Sequence, residues 1–161
     1  ADNEATWKAR LRIETGRFPT AQAGTYWLRV VDKKFSRGKT YVIAENCMNG
    51  LQKPALAAML RHELGGGTPT PYEPLFTSEW AFPIIAHGDE SRAETVDIVG
   101  NLCCAADVLT EDFTGPELAV GDLIEVRNAG AYACTLTAQR FSSHQPPREL
   151  LVYGDGRVET E

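Results

Sequence analysis

Along this chain, short runs rich in β-branched and aromatic residues are cut apart by glycine and proline, a spacing that suits strands rather than helices. The runs are Leu11 to Glu14, Thr25 to Val31, Thr40 to Ala44, Phe82 to Ala86, Thr95 to Val99, Leu123 to Arg127 and Leu150 to Tyr153. Each predicts a strand. One segment reads differently: Pro54 to Leu64 is packed with Ala, Leu and Met, opens on a proline and is followed by Gly65 to Gly67, the start and stop signals of a helix. Between Gly65 and Pro74, three glycines alternate with threonines and three prolines, which predicts a long surface loop. Many short strands and one helix favour a closed or sandwiched sheet over alternating βαβ units. The expected fold is mainly β, a Greek-key-like β-barrel with one or two short helices.

Composition narrows the function classes. At 161 residues the chain holds one domain with a real core and is too short for most cofactor-dependent barrel enzymes. Its hydrophobic fraction of 43% and charged fraction of 24% are ordinary for a globular fold, which excludes disorder and a coiled coil. Sixteen Lys and Arg against 22 Asp and Glu leave a net charge of −6, so a nucleic-acid partner is not expected. No apolar run approaches the ~20 residues that span a bilayer, so no membrane partner is expected, and the absence of a charged-then-apolar leader makes the cytoplasm the default location. Cys47, Cys103, Cys104 and Cys134 lack zinc-ligand spacing and the three histidines are scattered, so no metal site is expected. The chain starts at Ala1 with no initiator Met, as a processed chain or a piece of a longer one would.

Four short motifs could carry chemistry. In Glu14-Thr15-Gly16-Arg17 the glycine lets a backbone pass close to a ligand and the arginine offers a planar fork to a phosphate or carboxylate; the plain alternative is a turn with a solvated Arg. Gly100-Asn101-Leu102-Cys103-Cys104 leaves a strand into a turn, where Cys103 could serve as proton donor or nucleophile, or simply be buried. Asn128-Ala129-Gly130-Ala131-Tyr132 puts a tyrosine after a glycine at a strand end, able to stack or to donate its hydroxyl, or to fill the core. His144, in the Phe141 to Pro147 turn, reads as a surface residue, and Cys47 and Cys134 as small core residues.

The order of the motifs is more specific than any one of them. Glu14-Thr-Gly-Arg17, Arg29-Val-Val31, Met48-Asn49, Pro54-Ala-Leu56, Gly100-Asn-Leu-Cys103, Asp107-Val-Leu109, Gly121-Asp122, Gly130-Ala-Tyr132 and Glu149-Leu-Leu-Val152 together resemble the C-terminal half of the fold-type III pyridoxal-phosphate decarboxylases, diaminopimelate and ornithine decarboxylases among them. The resemblance covers residues 11 to 156. It implies a single C-terminal β-barrel domain over residues 1–161, with the stretch before Thr20 either part of it or the edge of a preceding (β/α)8 barrel that is absent here. None of the five lysines, Lys8, Lys33, Lys34, Lys39 and Lys53, matches the family's Schiff-base lysine. Pyridoxal 5′-phosphate is therefore the implied cofactor of the full-length enzyme only, and the isolated chain is expected to be inactive.

By the same resemblance, Cys103 is the catalytic residue, a cysteine that reaches across a homodimer interface into the partner's site. Glu14, Gly16 and Tyr132 are cofactor-binding, while Arg17, Lys53 and Cys104 are substrate-binding. The implied function is a domain of an amino-acid decarboxylase, a lyase, that closes the active site over a small amino-acid substrate. Two departures bear on the substrate. Cys104 stands where diaminopimelate decarboxylases carry a Glu that grips the far ammonium, and Lys53 and Ala57 stand where they carry Arg and Tyr. These, and the Phe141 to Glu149 tail, resemble the natural-product and siderophore branch, including enzymes for carrier-tethered amino acids. A non-catalytic regulatory relative of the same fold is the alternative reading, and an amino-acid racemase a third.

Overall fold

The computed structural model describes residues 10–63 and 81–160. The main unit is a six-stranded sheet in the order β3-β6-β1-β2-β4-β5, built from β1 (Tyr26–Ser36), β2 (Lys39–Ala44), β3 (Ile84–His87), β4 (Asp89–Gly100), β5 (Val108–Glu117) and β6 (Leu123–Val126). The two end strands, β3 and β5, come into contact, so the sheet curls into a nearly closed barrel. One helix, α1 (Gln52–Glu63), follows β2 and lies against β5. A separate two-stranded hairpin, β7 (Leu150–Val152) with β8 (Val158–Thr160), completes the chain.

Alternation along the strands fills the barrel. On β1, Leu28 and Val30 point inward and are buried while Trp27, Arg29 and Val31 face out; Val42 and Ala44 on β2, Val96 and Ile98 on β4, and Ile124 and Val126 on β6 complete one continuous core. The β1–β2 turn is Arg37-Gly38, both with positive φ (52° and 84°), the two-residue hairpin geometry whose twist matches the strands. One charged strand residue is buried because it is satisfied. Asp97, 5% exposed, accepts Nζ of Lys39 at 3.0 Å and the backbone N–H of Asp112 at 2.8 Å, which also pins the irregular step in the β4–β5 ladder.

One pairing decides where the loops go. All neighbours are antiparallel except β2 and β4, which run parallel with Ala44 opposite Gly100. Both strands therefore end at the same edge of the barrel, and the segments that follow them, 45–51 and 101–107, leave side by side.

The strand and helix expectations need correction in several places. Leu11 to Glu14 forms no strand: the segment is exposed and pairs with nothing regular. A strand that the sequence reading passed over, β5, carries Pro116 and acidic residues, which hid its inward Leu109. Leu150 to Val152 joins the small hairpin rather than the barrel, and all three residues are exposed. Cys134, expected in the core, is instead partly exposed and outside any strand, whereas Cys47 is a core residue as expected. The predicted loop Gly65 to Pro74 and the helix's last residue, Leu64, lie outside the described residues.

Candidate functional site

Three of the residues singled out in the sequence meet at one place, and glycines bring them there. The backbone of Thr20 to Gly24 crosses directly over Gly130, whose N–H donates to the carbonyl of Ala21 at 2.9 Å; Ala129 N–H donates to the carbonyl of Gly24, also at 2.9 Å. A Cβ at Gly130 would run into the carbonyl oxygen of Thr20, and one at Gly24 into the Cα of Gly130, so only glycine permits the crossing. The crossing holds the Glu14–Arg17 turn against the Gly-Ala-Tyr turn. Gly16 then sits beneath the hydroxyl of Tyr132, leaving no room for a side chain.

The Tyr132 ring is flanked by two cations. The guanidinium of Arg17 lies 5.5 Å from its centroid and 5.3 Å from that of Phe82, and Nζ of Lys53 lies 6.0 Å from the Tyr132 ring. Tyr132 itself has φ 62° and is 45% exposed. Arg17 Nη1 is buried with no hydrogen-bond partner. An unsatisfied buried guanidinium donor costs free energy until an acceptor reaches it, so this arrangement fits an anion, a phosphate or a carboxylate. Glu14 lies on the same turn and is exposed. Behind Tyr132 a cavity of about 390 Å³ runs past Ala129, Cys134 and Glu149. There Cys134 Sγ donates to Glu149 at 3.6 Å, and burial together with that carboxylate pushes the thiol pKa up.

Lys53 owes its place to the start of α1. Gln52 N–H, an orphan donor of the first turn, is capped by Oγ1 of Thr137 at 3.2 Å, and that hydroxyl donates in turn to the carbonyl of Ala133 at 2.5 Å, one residue beyond Tyr132. Pro54 and Ala55 pack the first turn inward. Ala57 is 2% exposed within the core cluster, so its small side chain seats the helix on the sheet.

The cysteine pair occupies the neighbouring loop. Cys103 is exposed and Cys104 half-buried, both as free thiols, so burial of Cys103 is overturned. Cys104 lines a small apolar cavity of about 100 Å³ with Met48, Leu102, Ala138 and Phe141. Beneath this loop, sequence reasoning missed a residue: Asp107, 3% exposed, whose carboxylate accepts the N–H groups of Met48 at 2.7 Å and Leu102 at 2.9 Å. Burial first, and then this carboxylate, raise the Cys47 pKa well above its ordinary value. Nearby, Tyr26 donates its hydroxyl to the carbonyl of Asn46 at 2.6 Å, and its pKa is raised chiefly by burial. Among the described residues no cluster of three or more His, Cys, Asp or Glu could hold a metal, and no helix is long and apolar enough to cross a membrane.

The chain is 31% identical over 139 residues to the L-glutamyl-(BtrI acyl-carrier protein) decarboxylase of Niallia circulans, covering 86% of the chain and 30% of that protein. It is 28% identical over 149 residues to the diaminopimelate decarboxylase of Zymomonas mobilis, covering 92% of the chain and 30% of that protein. The crystal structure of diaminopimelate decarboxylase from M. jannaschii with L-lysine shares its fold, with a TM-score of 0.68 at 24% identity over 90% of this chain and 28% of that one. The chain thus spans less than a third of the length of these relatives. The family described as pyridoxal-dependent decarboxylase, C-terminal sheet domain, matches residues 18–130, and the chain belongs to that family.

Proposed function

We propose that this chain is the C-terminal sheet domain of a pyridoxal 5′-phosphate-dependent amino-acid decarboxylase, working with an N-terminal barrel that carries the cofactor's lysine and with a second copy in a homodimer. The observation that carries the reading is the pair of cations on Tyr132, with Nη1 of Arg17 buried and unpartnered. Pyridoxal phosphate, when bound, supplies an electron sink for the carbanion that carbon dioxide loss leaves behind. This chain's residues do the rest. Arg17 fixes an anionic group in a two-point grip, Lys53 adds a second positive charge, and the Tyr132 hydroxyl orients the same group by a hydrogen bond. Glu14 serves the cofactor's ring, and Gly16 leaves room for the close approach. Cys103, an exposed free thiol, holds a proton on Sγ that it can deliver to one face of a neighbouring subunit's substrate.

The residues also favour a substrate class. Cys104 offers no fixed negative charge in an apolar cavity, so a substrate with a distal ammonium gains nothing there. A diaminopimelate-like skeleton without a free distal cation, such as a siderophore-precursor or carrier-tethered amino acid, fits better; the Niallia circulans relative is named for a substrate of the tethered kind. The test is carbon dioxide release by the full-length protein with pyridoxal phosphate, offered diaminopimelate, ornithine, lysine, glutamate, and carrier-linked or citryl amino acids, with Cys103→Ala alongside. Release from an uncharged-tail substrate, lost in the variant, supports the reading. A bound cofactor with no release from any substrate points to a regulatory relative instead.

A further inference from the structure

We propose that Asp107 is the positioning residue of the thiol loop, a single buried carboxylate that sets where Cys103 and Cys104 stand relative to the Tyr132 cluster. The inference rests on the decarboxylase reading for its purpose, though its geometry is independent of it. Asp107 closes the loop 101–106 on itself: its backbone N–H donates to the carbonyl of Cys104 at 3.0 Å, its carbonyl accepts from Gly100 N–H at 2.8 Å, and its side chain accepts from Leu102 N–H. The other carboxylate oxygen crosses to the turn after β2, accepting from Met48 N–H. Each carboxylate oxygen thus has a backbone donor, which satisfies the side chain at 3% exposure. Gly100 completes the clamp, since a Cβ there would run into the carboxylate itself.

The clamp extends to the cationic cluster through backbone. The carbonyl of Cys47 accepts the N–H groups of Gly50 and Leu51, at 3.3 and 2.9 Å, which fixes the turn that opens α1. There Gln52 is capped by Thr137, and Thr137 holds Ala133 beside Tyr132. Cys103 and Lys53 are thus registered to one turn, and Asp107 is the tie between them. A carboxylate is required because both groups are donors, one on each oxygen, and an amide would turn an N–H toward one of them.

The experiment compares the full chain with Asp107→Asn and with Val42→Ala, a core truncation in β2 that leaves both loops untouched. Hydrogen exchange of the Leu102 and Met48 amides is read by NMR, Cys103 alkylation by iodoacetamide through peptide mass spectrometry, and Tm in parallel. Losing a hydrogen bond to a charged acceptor corresponds to about tenfold or more in local protection. Asp107→Asn is therefore expected to lower protection at both amides by at least about tenfold and to speed Cys103 alkylation severalfold, with the Ile98 and Ile124 amides unchanged. Val42→Ala should lower Tm and move neither local readout. If Asp107→Asn does not fold, Gly100→Ala, which displaces the carboxylate without removing it, should give the same local signature. A fall in Tm with unchanged local readouts in the folded variant, or in Gly100→Ala, overturns the proposal. No readout needs the cofactor, so a negative decarboxylase assay would overturn the functional reading and leave this one standing.

Discussion

Tyr26 should make the domain labile in alkali, and substituting it should remove that lability at a cost felt near neutrality. Its phenol is raised above its ordinary value of 10.0, mainly by burial and further by Cys47, Glu45 and Asp107. Because the folded-state pKa is the higher one, the stabilisation is whole below pH 10 and is lost as pH rises, since only the unfolded chain then releases the proton. The loss amounts to at most about 1.4 kcal/mol per pH unit above 10. Tyr26→Phe removes that slope and also the hydrogen bond to the Asn46 carbonyl, costing about 1 kcal/mol at pH 8. Urea unfolding followed by tryptophan fluorescence from pH 8 to 11 should therefore show two curves that start about 1 kcal/mol apart and converge near pH 11. Lys39 and Cys47 are also raised, and both lose stabilisation in the same range, but they titrate in both proteins and cancel in the difference. Curves that stay parallel would refute the assignment.

Arg17→Ala should weaken binding of pyridoxal phosphate or inorganic phosphate by about ten- to a hundredfold by calorimetry, more than Arg17→Lys, which keeps the charge and loses the fork. Gly130→Ala should lower stability by about 1–3 kcal/mol in chemical denaturation, because its Cβ meets the carbonyl of Thr20 rather than a yielding side chain. Ile98→Ala, at a fully buried position in β4, should cost about 2–5 kcal/mol by the same assay. In acid the Glu125 carboxylate, held below its ordinary 4.5 by Arg127 and then His87, contributes stability above that value that fades as pH falls through its folded pKa; Glu125→Gln should flatten the acid limb of a Tm–pH profile.

The parts of this molecule legible in the sequence were those governed by local rules. The strand cores at Leu28, Val42, Ile98 and Ile124 announce themselves because β-branched runs have few other uses, and α1 because Pro54 and the glycines bracket a run of helix formers. β5 escaped because it carries the acidic Glu111, Asp112 and Glu117 and ends on Gly115-Pro116-Glu117, signals that read as a turn until a partner strand is known. The meeting of Arg17, Lys53 and Tyr132 was legible only as motif order; nothing local says that residue 20 crosses residue 130. Asp107 was the hardest. It lies inside the Asp107-Val-Leu109 motif, but an Asp before a strand is ordinarily a solvated turn residue, and only burial with two backbone donors marks it as something else.

The lone parallel pairing also has a bearing on the order in which the domain forms. The β1–β2 hairpin closes over two residues and needs no distant partner, so it can appear within microseconds. β2 cannot find β4 until more than forty intervening residues have been brought round, and that closure is the entropically slow event. Asp107 and Met48 sit just past the ends of those two strands, so their bond can be made only once the seam has zipped. Assembly of the thiol loop is thereby a late reporter of folding, and a chain stalled before that step would present a finished hairpin and no functional edge.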